Sequence, residues 1–199
     1  MLRKYGVNRL SVKQQEIKRK ITTFVAGQLA HIDSHYLPKD IIKGCISRLY
    51  VIGILDDYSR VCWLKLTDSL KALEVMFTAD DILKLIKSRY GIEFKKMMSD
   101  NGPEFTASQE GASTINHPFQ RMLERYSIKH VRIKPYRPQT NGKIERFWKT
   151  LSDDLIHGAQ FESIEKLEEA LCGFSIFYNE YRPHQGIQNI PANKLECTI

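Results

Sequence analysis

Apolar and polar positions change period several times along the chain, and each change marks an element. "QLAHIDSHYL" at 28 to 37 alternates in part, and "RLYVIGILDD" at 48 to 57 is an almost unbroken apolar run. "RVCWLKLT" at 60 to 67 follows after the turn "DDYSR". Period-2 and continuous apolar runs of this length read as strands, so three strands in a meander are expected. From Ser69 the period lengthens: Leu70, Leu73, Phe77, Ile82, Leu85 and Ile86 fall on a helical stripe, with Ser69 as N-cap and Gly91 as stop. "IEFKKMMSD" then reads as a fourth strand, "HPFQRMLERYS" as a short helix, and "IKHVRIKP" as a fifth strand. The two prolines and the glycine of "PYRPQTNG" predict a loop, expected to be mobile. Beyond it Ile144, Phe147, Trp148, Leu151 and Leu155 form the core-facing stripe of a helix, and a last helix runs from about Ser163 to Tyr181. The order predicts an α/β fold with a mixed sheet and helices on both faces.

Composition narrows the class. With 199 residues and 42% hydrophobic content, one main domain with its own core is expected. The chain has no apolar run of the roughly 18 residues that span a bilayer, so neither a membrane segment nor a membrane partner is expected, and the setting is read as cytoplasmic. Cys45, Cys62, Cys172 and Cys197 are scattered without a C-x-x-C pair, which points to neither a zinc knuckle nor a disulfide framework.

The net charge of +7 is unevenly spread. Residues 1 to 20 hold seven bases and one acid, residues 121 to 150 nine bases and two acids, and residues 151 to 199 three bases and eight acids. Two basic blocks flanking a nearly neutral body suit a partner with a phosphate backbone.

The acids supply the candidate chemistry. Asp33 lies in the first strand, Asp100 ends the fourth just before the turn "NGP", and Glu145 lies in the first turns of the penultimate helix. If the first and fourth strands are neighbours, the two aspartates stand side by side and the helix brings Glu145 over them. Carboxylates hold magnesium, which takes hard oxygen ligands and needs only one or two from the protein when substrate phosphates supply others. Competing readings attach to other residues. His31, Asp33 and His35 share one strand face, a pattern that also suits zinc or iron. Asp56 and Asp57 read as turn formers, and Glu104 as structural or close to bound nucleic acid.

Taken together, "HID" at 31 to 33, "DDYSR" at 56 to 60, "SDNGPEF" at 99 to 105, "IKHVRIKPYRPQTNGKIERFWKTL" at 128 to 151 and "FYNEYRPHQGI" at 177 to 187 resemble, in order, the signatures of the retroviral-type integrase catalytic core, and particularly of the DDE transposases of bacterial insertion sequences. The resemblance implies a ribonuclease H-like fold with a five-stranded sheet. It also implies a catalytic core over 27–190, a basic linker at 1–26 from a helix-turn-helix region, and a tail at 191–199. The expected activity is metal-dependent cleavage of element ends and joining of their 3′ ends to target DNA.

The resemblance further implies two Mg²⁺ or Mn²⁺ ions held by Asp33, Asp100 and Glu145. DNA contacts are expected from Lys143, Arg146, Lys149, Arg137, Gln139 and Asn141, and the subunits are expected to form a homodimer or higher oligomer. Apolar residues beyond one stripe on the 69-to-90 helix, and Leu167, Leu171, Phe174, Ile176 and Phe177 on the last helix, are the expected subunit contacts. A ribonuclease H or resolvase-type nuclease and a truncated, inactive DNA-binding copy are the alternatives. The 44 residues between Asp100 and Glu145 exceed the family's usual spacing, and "QEGASTINHP" at 109 to 118 reads as an inserted surface loop.

Overall fold

The structure is a computed structural model that describes residues 22–44, 47–107, 117–133 and 142–195. Its centre is a five-stranded sheet of β1 (Ala30–Tyr36), β2 (Tyr50–Asp56), β3 (Cys62–Thr67), β4 (Lys96–Ser99) and β5 (Lys129–Arg132), in the order β3-β2-β1-β4-β5. The meander β1-β2-β3 is antiparallel, and β4 and β5 add in parallel beside β1. The expected mixed sheet is thus present, with β1 at its middle. Four helices cover it: α1 (Ala72–Tyr90), α2 (Pro118–Arg125), α3 (Gly142–Leu151, continued by a π-helical turn at Ser152–Ile156) and α4 (Ile164–Glu180). Among the described residues no helix is long and apolar enough to cross a membrane.

Period 2 in β2 divides the core. Ile52 and Ile54 face one side with Ile32, Trp63 and the buried residues of α1 and α2, whereas Val51 and Leu55 face the other with Leu64, Phe147, Trp148, Leu171 and Phe174. Residues of both parities in β2 are therefore buried, which explains its continuous apolar run.

Helix α1 departs from expectation in its face. It buries Val75, Ala79, Ile82, Leu83 and Ile86, while Leu73, Phe77 and Leu85 are exposed. Its N-cap position is Lys71, whose N–H donates to Ser69 Oγ at 3.2 Å, so Ser69 acts two residues before the N-cap. Gly91 ends the helix as expected, at φ 67, a left-handed conformation that glycine adopts without the Cβ penalty. In α4, Leu167, Leu171 and Phe174 bury against the chain's own sheet, so they are core residues and not subunit contacts; Phe177 remains exposed. Ser163 caps α4 through its side chain, accepting from Lys166 N–H at 3.3 Å. The buried amide of Asn179 then fastens α4 to the outer edge of β3, accepting from Cys62 N–H at 2.8 Å and donating to Cys62 C=O at 2.7 Å. An edge strand is thereby paired by a side chain where a further strand would otherwise dock. The "YRPH" segment closes α4 structurally: His184 Nε2–H donates to Tyr178 C=O at 2.8 Å and its ring lies 4.5 Å from that of Tyr178.

Helix α3 sits on the side of the sheet that bears Asp33. It crosses β1 and β2 at Gly53, the β2 residue in register with Asp33. A Cβ at Gly53 would stand 2.7 Å from Trp148 Cη2 and 3.1 Å from Leu64 Cδ2, so glycine here makes room for the indole. Residues 1–21 of the linker predicted at 1–26, residues 109–116 of the inserted segment and residues 134–141 lie outside the described residues.

Candidate active site

Asp33 is half-buried in the middle strand, and both its oxygens are engaged. Ser34 N–H donates to Oδ1 at 2.9 Å, and Trp148 Nε1–H donates to Oδ2 at 2.9 Å. Burial raises the carboxyl to about 6. The two donors oppose that shift, while the charges of Asp100 and Glu104 add to it. At Asp33, removal from water and the charges of two neighbouring acids therefore both favour the proton.

Asp100 follows β4 directly, at the same end of the sheet as the C-terminal half of β1, because the two strands run parallel. Gly102 N–H donates to its Oδ1 at 2.9 Å, and Ser99 Oγ donates to its backbone carbonyl at 2.8 Å. Asn101 Nδ2 donates to Ile133 C=O at 2.9 Å, tying the turn to the end of β5. The "SDNGPEF" stretch is thus a hydrogen-bonded turn, and the same turn presents Asp100 to solvent. Glu104 belongs with this group. It is buried, accepts from Ser34 Oγ at 3.1 Å, and folds its carboxylate to within 2.5 Å of where a Cβ on Gly102 would be. The structural reading of Glu104 therefore fits, with the addition that its charge is felt at Asp33.

Glu145 is exposed on the first turn of α3, one turn before Trp148. Among the described residues no group of three His, Cys, Asp or Glu side chains is gathered closely enough to hold a metal ion. Asp33 and Asp100 are brought together with Glu104, whereas Glu145 stands on the overlying helix outside any such closed group.

In the zinc or iron reading of His31, Asp33 and His35, both histidines are engaged elsewhere. His31 Nε2 bonds Asp57 Oδ1 at 2.8 Å, and His35 stacks on the Trp148 ring at 5.0 Å with planes 12° apart. Burial lowers the pKa of His35.

Asp56 and Asp57 separate in role. Asp56 forms the expected turn, accepting from Ser59 N–H and Ser59 Oγ at 2.7 Å each, and also from Gly27 N–H at 2.9 Å. Asp57 does more than turn the chain. It is almost fully buried, receives His31 and Thr23, and pairs with Lys143 Nζ at 2.6 Å. Burial pushes its carboxyl up, but the bonds from His31, Lys143 and Thr23 outweigh this and hold it below the usual range. Lys143 donates as well to Asp57 C=O at 3.1 Å, so its ammonium anchors the start of α3 to the end of β2. Of the expected DNA contacts, Arg146 and Lys149 are exposed on α3; Arg137, Gln139 and Asn141 lie outside the described residues.

Sequence reasoning missed three participants: Gly53, the indole N–H of Trp148, and the buried carboxylate of Asp57. A glycine inside an otherwise apolar strand was the available signal for the first.

A sequence profile described as an integrase core domain matches residues 26–138, and a second one of the same description matches 126–191. A putative transposase of the insertion sequence element IS5376 from Geobacillus stearothermophilus is 27% identical over 158 residues, which are 77% of this chain and 38% of that protein. The catalytic core domain of BIV integrase superposes with a TM-score of 0.58 at 24% identity, covering 83% of this chain and 91% of that one. The HTLV-2 integrase catalytic core domain, solved in complex with magnesium, gives 0.55 at 16% identity over 86% and 97%. The chain spans about half or less of the length of the curated relatives it matches.

The raised Asp33 carboxyl has a thermodynamic consequence. Its folded pKa of about 6 lies above the ordinary 3.8 of an aspartate, so its contribution to stability is fully present below the lower value and is lost as pH rises through the upper one. In metal-free protein, Asp33→Asn should change the thermal midpoint little at pH 4 and raise it relative to wild type at pH 7. Parallel calorimetric scans at the two pH values measure this; a difference independent of pH would show that Asp33 ionises as it does in the unfolded chain.

Proposed function

The chain belongs to the integrase core family, and on that basis we propose that it is the catalytic core of an insertion-sequence transposase, cutting phosphodiester bonds at element ends and joining the 3′ ends to target DNA. The carrying observation is the placement of Asp33 and Asp100 on neighbouring parallel strands, with the charge of Asp100 felt at a half-buried Asp33. A catalytic cation relieves that repulsion.

The donor chemistry fits magnesium or manganese: carboxylate oxygens only, two from adjacent strands, with phosphate oxygens of the substrate left to complete the sphere. The magnesium complex of the HTLV-2 domain supports this choice. Two such ions, when bound, supply an activated attacking oxygen and stabilise the leaving oxygen of an in-line displacement. In this reading Asp33 and Asp100 hold the ions from the sheet. Glu145, exposed on α3 one turn before the indole that reaches Asp33, completes the set once DNA and metal are present.

Arg146 and Lys149 lie exposed on the same helix and meet DNA phosphates, with Arg137, Gln139 and Asn141 of the preceding segment as further contacts. Lys143 contributes by fixing the helix through Asp57. Exposed Leu73 and Phe77 on α1, Phe177 on α4 and Tyr181 directly after it supply apolar surface for a homodimer, which gives two ends two identical sites.

Three outcomes are expected. Asp33→Asn, Asp100→Asn and Glu145→Gln each abolish Mn²⁺-dependent strand transfer on end-sequence oligonucleotides while circular dichroism stays that of wild type; full activity in any one variant removes that residue from the site. Affinity for DNA falls steeply with salt through counterion release, and Lys149→Ala reduces the log–log slope by about one. An unchanged slope makes Lys149 a solvated surface residue. Light scattering at micromolar concentration without DNA returns the mass of a dimer, and a strictly monomeric mass overturns dimerisation through these helices.

A further inference from the structure

Trp148 is the one residue of the α3 stripe with a polar bond to a site carboxylate. It is 6% exposed, as a core residue should be, yet its N–H ends at Asp33 Oδ2. A buried indole needs a partner for its N–H, but many carbonyls would serve; here the partner is a carboxylate expected to bind metal. The ring itself is held from two sides. His35 stacks on it at 5.0 Å, and the missing side chain of Gly53 leaves the space the ring fills, 2.7 Å from where a Cβ would stand. The Phe147 ring, 5.1 Å away, packs it from its own helix. An N–H fixed this firmly fixes the carboxylate it bonds. With Ser34 N–H on Oδ1 and Trp148 Nε1–H on Oδ2, the plane of Asp33 is determined, and each oxygen keeps a lone pair free.

We propose that Trp148 is a positioning residue that orients Asp33 for a divalent cation, so that docking of α3 and readiness of the metal site are one event. The inference rests on the metal reading of Asp33 given above and adds a determinant to it. Outer partners of this kind hold a ligand in its binding orientation, and their loss typically costs about 10- to 100-fold in metal affinity.

The test uses the full chain and Mn²⁺ alone. Free Mn²⁺ is measured by electron paramagnetic resonance during titration of wild type, Asp33→Ala and Trp148→Phe, the last keeping an aromatic ring over Gly53 but no N–H. Binding that is lost in Asp33→Ala and weakened at least about tenfold in Trp148→Phe is the expected result. Equal binding by wild type and Trp148→Phe, with Asp33→Ala still deficient, overturns the role of Trp148 and leaves the metal reading standing. Wild-type binding indifferent to Asp33 overturns both.

A second measurement requires no change at Trp148. The chain has two tryptophans, so ¹⁵N-labelled indoles give two N–H resonances. The Trp148 resonance should move on Mg²⁺ addition and in Asp33→Ala, while that of Trp63 stays in place. A Trp148 resonance unmoved by either overturns the proposal.

Discussion

Helix α3 lies across the sheet because β2 has no side chain at Gly53, and the rest of the site depends on that contact. Trp148 occupies the space and reaches Asp33, Lys143 at the other end of the helix reaches Asp57, and Glu145 stands between the two anchors. One anchor is a neutral donor on a carboxylate, and the other is an ion pair with a carboxylate that is almost fully buried. The second is the costlier arrangement to disturb. Removing Lys143 would leave Asp57 in the interior with His31, Thr23 and the nearby charge of Arg60, and an incompletely paired buried charge is strongly destabilising. The helix bearing the third acid is therefore held by the same groups that hold the ends of β1 and β2.

Asp33 itself works against folding when charged. It senses the charges of Asp100 and Glu104 and, half-buried, loses hydration besides. The protein offsets this locally: Ser34 bonds both Asp33 and Glu104, Gly102 N–H bonds Asp100, and the indole bonds Asp33. The bonds from Ser34 N–H and the indole favour the charged form of Asp33 and oppose the burial that raises its carboxyl. Clustered like charge at a stability cost is what a site for an opposite charge requires.

Much of this was legible in the sequence, for stated reasons. The five strands and four helices follow from period and from turn residues, and Asp33 and Asp100 follow from their positions at strand interior and strand end. The face of α1 was misjudged because apolar residues such as Leu73 and Phe77 were counted into the stripe, whereas Val75 and Ala79 actually meet the sheet. Hydrophobicity alone does not separate a buried face from an exposed apolar one. The excess on α4 was misjudged in the opposite sense, since Leu167, Leu171 and Phe174 fill the second core. Asp57 read as a turn former because its partners, Thr23, His31 and Lys143, are 34, 26 and 86 positions away. Local chemistry cannot show a pairing that only the sheet order creates.

The same limit explains why Trp148 looked like core and nothing else. Its spacing from Ile144 and Leu151 is helical, and its burial agrees. An indole, however, has an apolar body and one donor at its edge, so the packing that buries the ring also decides where the N–H points. In this fold the decision was made by β2: a residue of any size at position 53 would tilt the ring away from the sheet and from Asp33. The geometry of an acid in β1 is thus set by an absence in the neighbouring strand, transmitted through a helix more than a hundred positions away in sequence.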